Sequence, residues 1–326
     1  MNNKILLIGF IILKYISYVI IFALLCWGLS KIGAKLLQLF YKYKLSQLSK
    51  IGTEPNFTEL TSQMCTQNQM ESPEYITLCK KYKIPINLHR KNWEHAYIVQ
   101  ALLKQGLLTE GKRGIGFGTG IERIVPIFAS MGCKILATDL ETKEAQKKGW
   151  TQTNQHSNSI NVFEGQEICQ KYDFKKQVSH RFVDMTNIDP DLKDFDFTWS
   201  ACSLEHLGSL EKGLEFIMNS LNCLKPGGLA IHTTEYNPCF ENFTIKKSKY
   251  TVLYRKKDLL ELEKQVKQEG HEIFPFSFNT GKQHFDNYAD IPPFGKKPHL
   301  KLLHHIFAAT SFGIIIRKGK TSKLSE

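Results

Sequence analysis

Apolar residues recur at helical spacing through "NWEHAYIVQALLKQGLL", residues 92 to 108, at Trp93, Ala96, Tyr97, Val99, Leu102 and Leu103, and the pattern stops at Gly111. From there strand-like and helix-like patterns alternate. One strand ends near Phe117, a helix covers 121 to 131, and "KILATDL", "HRFVDMTNI" and "FDFTWSACS" read as three further strands. The amphipathic stretch "LEKGLEFIMNSLNCL" follows, and a "KPGG" turn then leads into the strand "LAIHTTEY". Such alternation predicts a parallel sheet with helices on both faces. After the helix "KKDLLELEKQVKQEG", the strands "HEIFPFSF" and "AATSFGIIIRKG" have no helix pattern between them and are expected to pair antiparallel. Residues 45 to 85 are polar with little periodicity and read as a linker or irregular cover. The insert at 279 to 301 mixes aromatics, prolines and lysines, is long for a hairpin loop, and reads as a substrate lid.

The chain's N-terminal part departs from this rhythm. "ILLIGFIILKYISYVIIFALLCWGL", residues 5 to 29, is broken only by Lys14. At about 1.5 Å per residue it is long enough to cross a hydrocarbon core of about 30 Å. It predicts a transmembrane anchor over residues 1 to 30, and a basic juxtamembrane helix and linker over 31 to 91. One lysine precedes the apolar run and several follow it, which places the remainder of a single-pass protein of the cell membrane on the cytoplasmic side. The net charge of +12 belongs largely to this segment. Residues 1 to 50 hold seven lysines and no acid, leaving 36 basic against 31 acidic residues beyond it. That balance disfavours nucleic acid as a partner. Eight cysteines lie scattered with no CxxC pair, which suits a reducing compartment, and His284, His299, His304 and His305 match no metal template, so no metal is expected.

Candidate chemistry centres on "GKRGIGFGTGIERIVPIFASMGCKILATDLE", with Gly114, Gly116, Gly118 and Gly120 at alternate positions. The dinucleotide fingerprint G-x-G-x-x-G fails, since Ile121 stands where the third glycine would follow Gly116 and Gly118. No G-K-[ST] closes the loop as a Walker A motif requires. What remains is G-x-G-x-G after one strand and an acid, Asp139, at the end of the next, 19 residues past Gly120 and placed to accept both hydroxyls of a ribose.

This segment resembles motif I of the class I S-adenosylmethionine (SAM)-dependent methyltransferases. "ILATDLE", "FVDMTNI", "FDFTWSACSLEHL" and "LKPGGLAIHTTEY" resemble that family's later motifs, in its order, across residues 92 to 317. The resemblance implies a Rossmann-like seven-stranded sheet with an antiparallel final strand, forming a domain over 92 to 326. It implies SAM as cofactor, held by Gly116, Phe117, Gly118, Thr119, Gly120, Asp139, Leu140, Asp184, Met185 and Ser200. Methyl transfer to a hydroxyl needs a proton acceptor, which singles out His206, Glu205 and Glu235 at the strand ends. The wording of the fourth and fifth strands is similar to a bacterial subgroup linked to surface glycans, so the expected acceptor is an oxygen of a small molecule, glycan or lipid-linked sugar. One departure stands out: the family's acid two positions before the first motif glycine is Gly114 here, which leaves the methionine end of SAM to backbone amides, to Glu122 or to a residue of the preceding helix. A non-catalytic membrane scaffold and an NAD-dependent oxidoreductase are the competing readings.

Overall fold

The computed structural model describes residues 31–148, 156–163, 168, 172–292, 294 and 298–320. The expected anchor at 5 to 29 lies outside these residues; among the described ones no helix is long and apolar enough to cross a membrane. In chain order the elements are α1 (31–48), β1 (Ser62–Met64), α2 (Gln67–Glu71), α3 (Pro73–Tyr82), α4 (Arg90–Lys104), β2 (Arg113–Phe117), α5 (Ile124–Ser130), β3 (Lys134–Asp139) and α6 (Thr142–Lys148). They continue with α7 (Phe174–Gln177), β4 (Val178–Phe182), β5 (Phe195–Ala201), α8 (Leu210–Ser220), β6 (Leu224–Tyr236) and α9 (Lys256–Gln268). The short strands β7 (Glu272–Ile273), β8 (Phe276–Ser277) and β9 (Leu302–His304) precede the long β10 (Phe307–Arg317).

The strands form one mixed sheet in the order β4-β3-β2-β5-β6-β10-β1-β8. The five on the β4 side run parallel, and β10 lies antiparallel to β6 from Thr310↔Tyr236 to Arg317↔Leu229. The chain winds outward from β2 to one side and then from β5 to the other, so the strand order reverses between them, as in doubly wound α/β folds. Helices α3, α4 and α5 pack on one face and α8 and α9 on the other. The Rossmann-like sheet and its antiparallel final strand agree with the sequence. Among the described residues ten strands form rather than seven, because Pro275 divides "HEIFPFSF", because a strand forms from the supposed linker, and because Leu302–His304 adds the short β9 against β10.

That linker is the larger correction. Within residues 45 to 85 lie β1, α2 and α3, and β1 sits inside the sheet, antiparallel to β10 and parallel to β8. Three residues are too few to display alternation, and two of the three are polar. Ser62 and Gln63 are buried all the same because backbone satisfies them. Ser62 Oγ accepts from Ile315 N at 3.0 Å, and the Gln63 amide donates to Asn56 O at 2.8 Å while accepting from Asn56 N at 3.1 Å.

Two glycines of β2 owe their presence to packing. A Cβ at Gly114 would stand 2.3 Å from the Phe197 ring, and one at Gly116 would stand 2.2 Å from Trp199. Phe197 and Trp199 on β5 fill that space and meet Phe128 of α5 edge-on at 5.4 and 5.0 Å. Helix α4 starts two residues before the expected position, capped by His89 Nδ1 accepting from Lys91 N at 3.2 Å, and ends at Lys104, with Gly106 at φ +64° turning the chain away.

Candidate active site

In an open parallel sheet the carboxyl ends of the strands, at the point where the order reverses, form a crevice that no crossover covers. Here that crevice is a cavity of about 480 Å³. Running from β4 toward β6, it is lined by Asp184 and Met185, by Asp139 and Leu140, by the loop Gly118–Glu122, by Ala201–Ser203 and by Glu235, with His206 and Leu207 alongside. The first turn of α4 adds Lys91, Glu94 and His95.

The glycine loop leaves β2 with Gly118 at φ +60° and Gly120 at φ +47°, a region that an L side chain occupies only under strain. A Cβ at Gly118 would also fall 2.7 Å from Ser203 Oγ. Thr119 is buried, its N–H donating to Thr138 O at 3.0 Å, which binds the loop to β3. Asp139 faces this loop. Its Oδ2 accepts from Gly120 N at 3.2 Å and from Ser157 N at 2.9 Å, and Oδ1 accepts from Leu140 N at 2.7 Å. With one such bond, Oδ1 keeps accepting capacity, as a hydroxyl-bearing ligand needs. Asp184 closes an Asx turn on Thr186 N at 2.8 Å, with the nearly buried Met185 beside it.

Four residues predicted for the site do not line the cavity. Gly116 makes room for Trp199, and the Phe117 ring points into the opposite layer, edge-on to Phe216 at 5.3 Å. Ser200 is buried on that same layer, with Oγ 2.8 Å from His232 Nδ1. Strand parity explains both placements, since neighbouring side chains point to opposite faces. Glu205 is fully buried behind the wall rather than in it. Its Oε2 accepts from Thr234 Oγ1 at 3.2 Å, while Oε1 has no hydrogen-bond partner. Burial pushes its carboxyl up to about 7; the nearby Lys91 opposes this and the Glu235 charge adds to it. The insert 279–301 contributes no described residue to the lining. It grips α1 instead, with Thr280 Oγ1 donating to Leu45 O at 2.8 Å and Asn279 Nδ2 to Ser49 O at 2.8 Å.

His206 and Glu235 do reach the cavity. His206 Nδ1 bonds the Tyr250 carbonyl, which can only accept, so the neutral ring carries its basic lone pair on Nε2. That nitrogen lies 4.0 Å from Glu205 Oε1. Glu235 is held by Arg90 Nη2 at 2.5 Å. Arg90 also reaches Ser311 Oγ at 3.1 Å and Glu94 Oε1 at 3.5 Å, and Cys202 Sγ donates to Glu94 Oε1 at 3.1 Å. Burial alone would raise the Glu94 carboxyl, but Lys91 and Arg90 outweigh it and hold it below the ordinary carboxylate value.

Lys91, Glu94 and His95 went unrecognised in the sequence because α4 there is a core helix by periodicity. Their charges become intelligible only against β6 and β10. Glu122, one of the groups left to stand in for an acid at 114, lines the cavity. Its Oε2 accepts from Trp199 Nε1 at 3.3 Å, and burial raises its carboxyl well above the ordinary value. Among the described residues one group has the composition of a metal site: Cys202 Sγ and one carboxylate oxygen each of Glu205 and Glu235 lie within 4.8 Å of one another. Arg90 already occupies Glu235, and burial raises the Cys202 thiol so that it stays protonated toward Glu94.

No family model matches the chain, and no curated protein matches it. Solved structures to which it is similar include methyltransferases. One is a putative sarcosine dimethylglycine methyltransferase from Galdieria sulphuraria, at 13% identity and TM-score 0.42, covering 78% of this chain and 98% of that one. A SAM-dependent methyltransferase from Methanosarcina mazei, at 13% and 0.42, covers 67% and 98%. The magnesium protoporphyrin IX methyltransferase from Synechocystis with bound S-adenosylhomocysteine, at 11% and 0.39, covers 76% and 95%. Likeness of this size is no argument for function, which rests on the cavity and its residues.

Proposed function

We propose that the chain is a SAM-dependent methyltransferase that moves a methyl group to an oxygen of a small, glycan or lipid-linked acceptor, held at the cytoplasmic face of a membrane by residues 5 to 29. One observation carries the catalytic reading: the cavity at the strand-order reversal is floored by the loop Gly118–Gly120, whose glycines turn through positive φ, and bounded by the Asp139 carboxylate. The loop lacks the lysine and hydroxyl that would grip a triphosphate and the third glycine of a dinucleotide site. An anionic rim instead suits a ligand bearing positive charge.

The order of residues along the sheet divides the cavity. Asp139, Asp184 and Met185, over β3 and β4, suit a ribose and a base. Glu122 and Lys91 supply one acid and one base for the ammonium and carboxylate of a methionyl group. His206 and Glu235, toward β6, face the remaining space, where an acceptor hydroxyl would lie. SAM, when bound, supplies a methyl on positively charged sulfur. The chain's task is alignment, exclusion of water and removal of the acceptor proton. His206 Nε2 is the group suited to take that proton, with buried Glu205 behind it to stabilise the imidazolium. Attachment to a bilayer would raise the encounter rate with lipid-borne acceptors.

Calorimetric titration of the detergent-solubilised chain with SAM, and separately with NADH, tests the reading. Saturable binding of SAM alone, lost in Asp139→Ala, supports it. Failure to bind SAM at millimolar concentration would shift the reading to the non-catalytic scaffold, which Gly114 and the hydrogen bonds already made by Asp139 favour.

A further inference from the structure

Helix α1 is apolar on two opposite sides, and only one of them is covered. Leu37, Tyr41 and Leu45 face the domain and pack on Ala289, Leu303 and Ala308. Polar clamps fix that side: Gln38 Nε2 donates to Ala289 O, Tyr41 Oη to Ile306 O and Thr280 Oγ1 to Leu45 O. Position and rotation of the helix are thereby set. On the far side Ile32, Leu36, Leu39 and Tyr43 are 57%, 61%, 62% and 63% exposed. Their spacing of four, three and four residues aligns them in one stripe, over a helix about 27 Å long at 1.5 Å per residue. Lysines 35 and 42 lie along one edge of the stripe, and residues 31 to 50 contain five lysines and no acid.

We propose that this outward stripe rests on an anionic lipid bilayer, with Ile32, Leu36, Leu39 and Tyr43 in the acyl–headgroup boundary and Lys35 and Lys42 on lipid phosphates. The charge complementarity decides the occupant. A protein groove would be expected to find acids as well as bases on a face this long, whereas a uniformly basic helix with an apolar stripe matches an interfacial helix on acidic lipid. Because the inner side is clamped to the domain, the contact fixes the orientation of the whole sheet to the bilayer. The proposal does not rest on methyl transfer, and it holds or fails whether or not SAM binds.

The test uses the full chain reconstituted in vesicles of phosphatidylcholine alone or with phosphatidylglycerol. A solvatochromic amino acid replaces Leu39 or, as a control, Glu261 on the exposed side of α9. With phosphatidylglycerol, emission from position 39 shifts to the blue and is quenched by nitroxide-bearing lipid, while emission from position 261 does neither. Lys35→Glu with Lys42→Glu lowers the ratio of docked to undocked chain by roughly fivefold per lysine. The proposal is overturned if position 39 stays as water-exposed as position 261 in both lipids. It is equally overturned if position 39 is shielded without lipid quenching, by a second copy in a concentration-dependent way or by residues 5 to 29 independently of concentration. Indifference to the lysine reversal overturns the anionic assignment.

Discussion

Arg90, the first residue of α4, places Nη2 2.5 Å from Glu235 Oε1 at the end of β6, and both side chains are nearly buried. The pair locks the helix that walls the cavity to the strand that floors its acceptor side. Arg90→Leu leaves Glu235 and Glu94 without their shared cation, and is expected to lower unfolding free energy by about 3–5 kcal/mol in urea denaturation. The double variant Arg90→Leu/Glu235→Leu should recover much of that loss. A double variant no more stable than the single one would show that the guanidinium acts chiefly through Glu94 and Ser311.

Glu122 is assigned the ammonium of the methionyl group, which 5′-methylthioadenosine lacks. Glu122→Gln should weaken SAM by roughly tenfold or more, since a hydrogen bond to a charged group is lost, and leave methylthioadenosine unchanged. Equal weakening of both ligands in parallel titrations would mean that Glu122 only supports Trp199.

Restoring the acid that the family resemblance calls for should harm this protein. In Gly114→Asp the new Cβ would lie 2.3 Å from the Phe197 ring in a filled core, so the variant is expected to lose on the order of 1–3 kcal/mol or more of stability. Phe197→Ala in the same chain opens the space, and the two changes together should cost less than their sum. Additive costs in denaturant titrations would disprove the steric account.

The buried Glu205 carboxyl makes stability pH-dependent in a direction opposite to that of a salt-bridged acid. Its folded-state pKa of about 7 lies above the ordinary value of 4.5, so the folded protein binds the extra proton. The stabilising contribution is full below 4.5 and is lost as pH rises through 7. Glu205→Gln, which keeps shape and removes the ionisation, should flatten the fall in stability between those limits. An unchanged pH profile in urea titrations would show that Glu205 ionises as it does in the unfolded chain.

The parallel half of the sheet was legible because its strands are long, apolar and separated by helices with clear periodicity. Asp139, Asp184, Gly118 and Gly120 were legible because each lies at the C-terminal end of a parallel strand or within three residues of it. Strand parity is legible as well. Phe117 shares a face with Ile115, and Ser200 shares one with Thr198, so neither could point with Ala201 into the cavity. The α4 charges were not legible at all. Glu94 reads as a solvated helix residue until Arg90 of the same helix, Cys202, 108 residues further on, and Ser311, 217 residues further on, close around it. Nor could "SQM" announce a strand, since its polar side chains are buried only because backbone from Asn56 and Ile315 meets them.

That small strand governs the order in which the molecule can be completed. Ser62 receives its hydrogen bond from Ile315, 253 residues away, and β1 lies between β10 and β8, both of them late in the chain. On the ribosome, residues 31 to 64 must therefore wait, undocked, until nearly all of the described chain has been made. The parallel core from β2 to β6 can form meanwhile, but its β6 edge stays open until β10 arrives. The described sheet is thus completed late, when β10 covers that edge and gives β1 its partner.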